Sequence, residues 1–227
     1  MTKDSLTSDY RQMRAAEQPL DTAPRLVLAS RSPRREQLLR QLGFNPQCKP
    51  ADIPETAAPG ESPQALVERL AIQKAQSCRA FYQADNHSGG RNDQDHCVII
   101  GADTVIDFHG QIIGKPVERN DCLQTLQNLS DQTHKVHTGV CVLPAACTEA
   151  LTVVVSSDVT FGPISATQAI AYWETGEPAG KAGGYAIQGI GAMFVAQVQG
   201  SFSNVMGLPL YETARLLSRA GLPVLGD

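Results

Sequence analysis

Apolar and polar positions sort the chain into short buried runs and stretches of helical spacing. "RLVLAS" (25–30), with its Leu-Val-Leu run, predicts a short buried strand. Ser32 then suits an N-cap and Pro33 the first helical position, while Leu38, Leu39 and Leu42 form an apolar face that Gly43 ends. A second helix opens at Ser62-Pro63, with Leu66, Val67, Leu70, Ala71 and Ala75 at helical spacing. "CVIIGADTVIDF" (97–108) reads as an apolar strand, followed by a His-Gly turn and "QIIG". A helix at about 121–129 and the strands "KVHTGVCVL" and "LTVVVSSDVTF" come next, then a helix at about 166–175. "YAIQGIGAMFVAQVQG" (185–200) reads as a hairpin, and a last helix covers about 210–220. That order predicts a single α/β domain with a mixed sheet.

Two stretches fall outside this pattern. Residues 1–24 carry acidic groups throughout and no apolar core, so they read as a polar, disordered extension rather than a secretory signal. Residues 84–96, "ADNHSGGRNDQDH", read as an exposed loop. The rest, 25–227, is expected to form one domain. At 227 residues and 42% hydrophobic, the chain is long enough to bury a substantial core. Its net charge of −4 gives no overall attraction to nucleic acid or anionic membrane, so a basic site has to be local. Six cysteines without a CxxC pair point to free buried thiols in a reducing cytoplasm. No run approaches the roughly 20 apolar residues of a membrane span.

Charge placement raises the chemical questions. Arg34 and Arg35 sit in the first turn of a helix, the unfavourable end of its dipole for a cation. Either both are solvated at a small cost, or an anion such as phosphate completes the site with the helix N–H groups. The stretch alone leaves the two readings even. Binding of a DNA backbone is weak as a third, because the unit occurs once in an acidic chain. Asp103 lies inside an apolar strand, so it must be paired, metal-bound or neutral. It is either an acid satisfied by backbone donors or a carboxylate that binds a divalent ion or activates water. Gly101 beside it permits close approach of a backbone or ligand. Lys115 and Lys181 are flanked by helix breakers, Lys74 lies on a helix, and Glu55 is a loop acid; each taken singly reads as ordinary surface charge. His134 and His137, three apart on a strand, point to opposite faces and cannot share a metal. No zinc pattern, P-loop or Gly-x-Ser-x-Gly elbow is present.

Five blocks appear in order: "LASRSPRREQLLRQLGF", "GADTVIDFHGQIIGKP", "LSDQTHKVHTGV", "KAGGYAIQG" and "GSFSNVMGLPLYETARLL". Together they resemble the Maf family of nucleoside triphosphate pyrophosphatases, from about residue 25 to 220. The resemblance implies a long mixed sheet flanked by helices, a deep nucleotide cleft as in the inosine triphosphate pyrophosphatases, and a homodimer. It implies hydrolysis of a nucleoside triphosphate to the monophosphate and pyrophosphate with Mg²⁺ or Mn²⁺. Asp103 matches the family's proton acceptor; Arg34, Thr104 and Gln188 match positions linked to substrate choice. Ser32, Arg35, Lys74 and Lys115 match phosphate-side positions, and Glu55 would support the metal with Asp103. No nucleic-acid or membrane partner is implied.

"KAGGYAIQG" resembles the branch acting on dTTP, UTP and modified pyrimidine nucleotides rather than the 7-methyl-GTP branch. A glutamine amide donates and accepts at once, which suits the N3–H and carbonyl edge of uracil or thymine. Departures from the family pattern are Arg31, Gly180, Asp131 and the long 84–96 loop. Competing readings are a 7-methyl-GTP or inosine/xanthosine triphosphate pyrophosphatase, and a non-enzymatic regulator of cell division.

Overall fold

A computed structural model describes residues 24–85, 97–144 and 149–225. The expected N-terminal extension therefore lies outside the described residues except for Pro24. Of the expected 84–96 loop, Ala84 and Asp85 instead end a helix and the remainder lies outside.

Strand β1 (Arg25–Leu28) leads into helix α1 (Pro33–Gln41), then the short β2 (Gln47–Cys48) and the long helix α2 (Pro63–Asp85). Strand β3 (Cys97–Phe108) turns at His109-Gly110, both at positive φ, into β4 (Gln111–Ile113). Helix α3 (Arg119–Leu129), strands β5 (Thr133–Leu143) and β6 (Leu151–Phe161), and helix α4 (Ala166–Glu174) follow. Strand β7 (Val195–Gln199), helix α5 (Phe202–Met206) and helix α6 (Leu210–Arg219) complete the order. The seven-stranded sheet runs β2-β1-β3-β5-β6-β7, with β4 paired to β3. β1 lies parallel to β2 and β3, and the other pairings are antiparallel, so the sheet is mixed as the sequence predicts.

The 185–200 stretch is not a hairpin. It forms a 3₁₀ segment over Ile190–Phe194 and a single strand, β7, that pairs with β6. The first arm cannot join a ladder because the N–H groups of Ile190 and Gly191 are bonded to the Glu177 carboxylate.

Two cores flank the sheet. The larger one packs α1, α3, α4 and α6 on one face, with Leu38, Leu39, Leu126, Phe161, Tyr172 and Leu217 buried in it. On the other face α2 lies against β3 and β5 through Ala71, Ala75, Val67 and Leu70. The approach there is unusually close. A Cβ on Gly101 would stand 2.3 Å from the Ala71 carbonyl oxygen, and one on Gly139 2.3 Å from that of Val67. Only glycine permits the helix to sit at that height.

Histidines 134 and 137 do face opposite sides of β5. His134 packs edge-on against Phe161 and Tyr185, with Nε2 2.8 Å from the Tyr185 hydroxyl. His137 bonds Ser156 through Nδ1 at 2.7 Å and approaches Asp107 through Nε2 at 3.3 Å. None of the described cysteines is in a disulfide, and only Cys48 among them is exposed. No helix among the described residues is long and apolar enough to cross a membrane.

Gly101→Ala is expected to lower stability by about 3 kcal/mol in urea unfolding, because the new methyl meets backbone rather than a movable side chain. A pH effect follows from His134. Burial pushes its imidazole down from 6.5 to about 4, against a smaller opposing pull from Asp158. Between those values the unfolded chain binds the proton that the folded chain refuses, so stability falls as pH drops through this window. The loss saturates at roughly 3 kcal/mol. Urea midpoints measured from pH 7 to 4 should show His134→Gln losing less stability on acidification than the parent chain.

Candidate active site

The site opens where the edge of β3 has no strand partner. β1 covers β3 up to Ile100 and β4 rejoins it only at Ile106. Asp103 and Thr104 fall in that gap, just beyond the carboxyl end of β1, where ligand clefts of α/β sheets form. A cleft of about 630 Å³ occupies this place. Its walls come from the β1–α1 turn, the 51–55 loop, Lys74, Lys115, the 180–188 segment and the 205–207 turn.

Asp103 points to the α2 side and is 7% exposed. Lys74, one helical turn beyond the Gly101 contact, reaches it with Nζ 2.6 Å from Oδ1. The same ammonium lies 2.6 Å from Glu55 Oε1, and Lys115 approaches Glu55 Oε2 at 3.6 Å. Lys74 is therefore no solvated helix edge: it is 6% exposed and shared by two carboxylates. Desolvation pushes the Glu55 carboxyl up, but Lys74 and then Lys115 outweigh it and hold the group below its usual range. Removing one partner from such a buried pair costs far more than losing a surface ion pair.

The two arginines divide their roles. Arg35 is buried, and its Nε donates to the Gly207 carbonyl at 2.8 Å, Nη1 to Ser30 Oγ at 3.1 Å and Nη2 to Thr104 Oγ1 at 3.0 Å. Thr104 Oγ1 lies 2.9 Å from Thr138 Oγ1, which donates to the Asn204 carbonyl at 3.0 Å. This guanidinium thus joins β1, β3 and the turn after α5, and keeps only its remaining N–H groups for a ligand. Arg34 is half-buried at the cleft wall, has no ion-pair partner among the described residues, and is lowered by desolvation. Lys181 across from it is lowered first by burial and then by the charge of Arg34. Cations crowded against one another with few acids between them form an anion site.

Every candidate site residue named from the family resemblance lines this cleft: Ser32, Arg34, Arg35, Glu55, Lys74, Asp103, Thr104, Lys115 and Gln188. Ser32 is the N-cap of α1 as expected, yet its side chain makes no cap bond; its own N–H donates to Ser30 Oγ instead. Gln188 stands exposed at the mouth, and Arg31 lines the same rim. Lys181, read earlier only as a loop cation, is in the wall. Ser30 and the Thr138–Asn204 support were missed, because buried hydroxyl and amide partners carry no sequence periodicity.

A mixed sheet whose interrupted edge frames a buried aspartate–lysine pair beside a half-buried arginine without an ion-pair partner among the described residues defines an α/β domain with a cation-rich cleft. The chain belongs to the Maf family: the profile for Maf-like protein matches residues 25–220. A protein of Pseudoalteromonas atlantica named dTTP/UTP pyrophosphatase is 47% identical over 197 residues, covering 87% of this chain and 97% of that protein. A protein of the same name from Xanthomonas campestris is 43% identical, covering 86% of this chain and 98% of its own length. A third, from Aromatoleum aromaticum, is 41% identical over 88% of this chain and 97% of its own.

Lysine has one ammonium and cannot span Gly207, Ser30 and Thr104 together. Arg35→Lys should cost about 2 kcal/mol of stability by urea titration, with increased mobility of the 205–207 turn in amide exchange.

Proposed function

We propose that this protein hydrolyses dTTP and UTP to the nucleoside monophosphate and pyrophosphate. The observation that carries the reading is the buried Asp103–Lys74 pair, joined by the loop acid Glu55, in a cleft walled by Arg34, Lys115 and Lys181. Relatives with that name, matched over nearly their whole length, support the pyrimidine assignment.

The chemistry is attack of water on the α-phosphorus. A P–O bond forms to the water oxygen, the bridge to the β-phosphate breaks, and pyrophosphate leaves with the electron pair. Asp103 accepts the water proton; its Oδ1 is held by Lys74, which leaves Oδ2 outside that ion pair. Arg34, Lys115, Ser32 and the free N–H groups of Arg35 stabilise the charge that builds on the departing phosphates. Thr104 acts through Arg35, which it anchors, and Gln188 reads the N3–H and carbonyl edge of the base.

A divalent cation fits the donor set. Asp103 and Glu55 flank one ammonium at 2.6 Å each, and carboxylates completed by substrate phosphate oxygens are the usual ligation of Mg²⁺. Among the described residues no cluster of three or more acidic, histidine or cysteine ligands exists, so this would be a site the substrate completes rather than a protein cage. Bound there, Mg²⁺ or Mn²⁺ supplies charge neutralisation and Lewis-acid polarisation at the phosphoryl group. The reading also carries a homodimer acting in the cytoplasm; exposed Met193, Ile190, Phe202 and Tyr211 offer apolar surface for self-association.

Pyrophosphate release should be measured with dTTP, UTP, CTP, 7-methyl-GTP, ITP and GTP in Mg²⁺ or Mn²⁺. The expected result is preferential turnover of dTTP and UTP, reduced on the order of 10³-fold in Asp103→Asn. Preference for another nucleotide, still lost in Asp103→Asn, overturns the base assignment and keeps the reaction. No turnover of any nucleotide overturns the enzyme reading in favour of a regulator.

A further inference from the structure

Gln188 and Lys181 face the cleft, yet neither sits on a helix or strand of the sheet. Something else must hold them. One residue outside the cleft does so for both, its carboxylate for Gln188 and its backbone carbonyl for Lys181. Glu177 Oε1 accepts from the Tyr172 hydroxyl at 2.7 Å and from Gly191 N–H at 2.8 Å, and Oε2 accepts from Ile190 N–H at 2.9 Å. The Tyr172 oxygen in turn accepts from Ala186 N–H at 3.2 Å. The turn that carries Gln188, closed by Gly189 N–H on the Ala186 carbonyl at 3.1 Å, is thereby tied on both flanks to one carboxylate. The backbone carbonyl of Glu177 also accepts from the Lys181 ammonium.

The local residues are shaped around this hub. A Cβ at Gly189 would stand 2.2 Å from Glu177 Oε2, and one at Gly191 2.6 Å from the Tyr172 hydroxyl oxygen. Tyr172 itself, on α4, is fully buried in the main core with its ring edge-on to Phe194, so the tether ends on a rigid anchor. Glu177 does not line the cleft.

We propose that Glu177 is a positioning residue for base recognition, its carboxylate holding Gln188 in the cleft through Tyr172 and the 186–191 backbone. The assignment rests on the pyrophosphatase reading above, in which Gln188 meets the base. Its effect is confined to contacts with the nucleoside end of the substrate, since the Asp103–Lys74–Glu55 cluster is carried by β3, α2 and the 51–55 loop instead.

The test compares Glu177→Ala, Glu177→Gln and Tyr172→Phe with the parent chain in two measurements. The first is steady-state kinetics with UTP and CTP, alongside inhibition by inorganic tripolyphosphate, which has no base. The second is amide hydrogen exchange at residues 186–191. In Glu177→Ala, KM for UTP should rise on the order of 10- to 100-fold, with preference over CTP reduced and kcat and the tripolyphosphate inhibition constant little changed. Exchange at Gln188–Gly191 should be faster. Glu177→Gln, which keeps one acceptor oxygen but turns an N–H₂ toward backbone donors, should fall between; Tyr172→Phe should act in the same direction through Ala186. Unchanged exchange in Glu177→Ala overturns the proposal whatever the activity. Faster exchange with UTP and tripolyphosphate weakened alike, or with kcat alone reduced, also overturns it, as a general structural role. If the parent chain turns over no nucleotide, the pyrophosphatase reading fails and base positioning fails with it, whereas a failure of Glu177 alone leaves parent UTP turnover intact.

Discussion

A lysine ammonium buried between two carboxylates is the interaction on which this cleft depends. Lys74 is 6% exposed and contacts Asp103 and Glu55 at 2.6 Å each. A cation so deeply desolvated is tolerable only while both acids face it. That condition propagates outward. α2 must lie close enough to β3 for the side chain to reach, which the absent side chains of Gly101 and Gly139 permit. The 51–55 loop must then fold over the cleft to bring Glu55 in.

The sheet contributes by what it leaves unpaired. Between Ile100 and Ile106 the outer edge of β3 has no neighbouring strand, so the side chains of Asp103 and Thr104 can be reached from the cleft while their strand stays fixed by β5 on the other side. Asp103 faces α2 and Thr104 faces the main core, as adjacent strand residues must. One therefore meets Lys74 and the other Arg35. The two arginines at the start of α1 show the same separation of labour. Arg35 is spent on tying three segments together, whereas Arg34 is left beside Lys181 with charge to offer an anion.

Much of this was legible in the residues. The long strands 97–108 and 151–161 match their apolar runs at both ends, and the α1 cap at Ser32-Pro33 stands where its chemistry places it. The candidate site residues, taken from a resemblance of ordered blocks, all line one cleft. The 185–200 stretch was misread, because its apolar alternation looks like paired strands while a glutamate eight residues upstream takes the backbone donors such a pair would need. Lys74 taken singly also reads as surface charge; no local spacing reveals that its helix is pressed against a glycine.

The sequence by itself determined where helices and strands lie, since apolar periodicity, caps and turn residues act over a few neighbours. It also determined that an acid is embedded in an apolar strand and that two arginines open a helix. Tertiary structure alone decided which of these charges are buried, which meet, and which remain unpartnered. Burial and ion pairing depend on segments distant in sequence: Arg35 on Gly207 and Thr104, Lys74 on Asp103 and Glu55, the Gln188 turn on Glu177 and Tyr172. Desolvation sets the cost of a charge, and only the packed fold fixes desolvation.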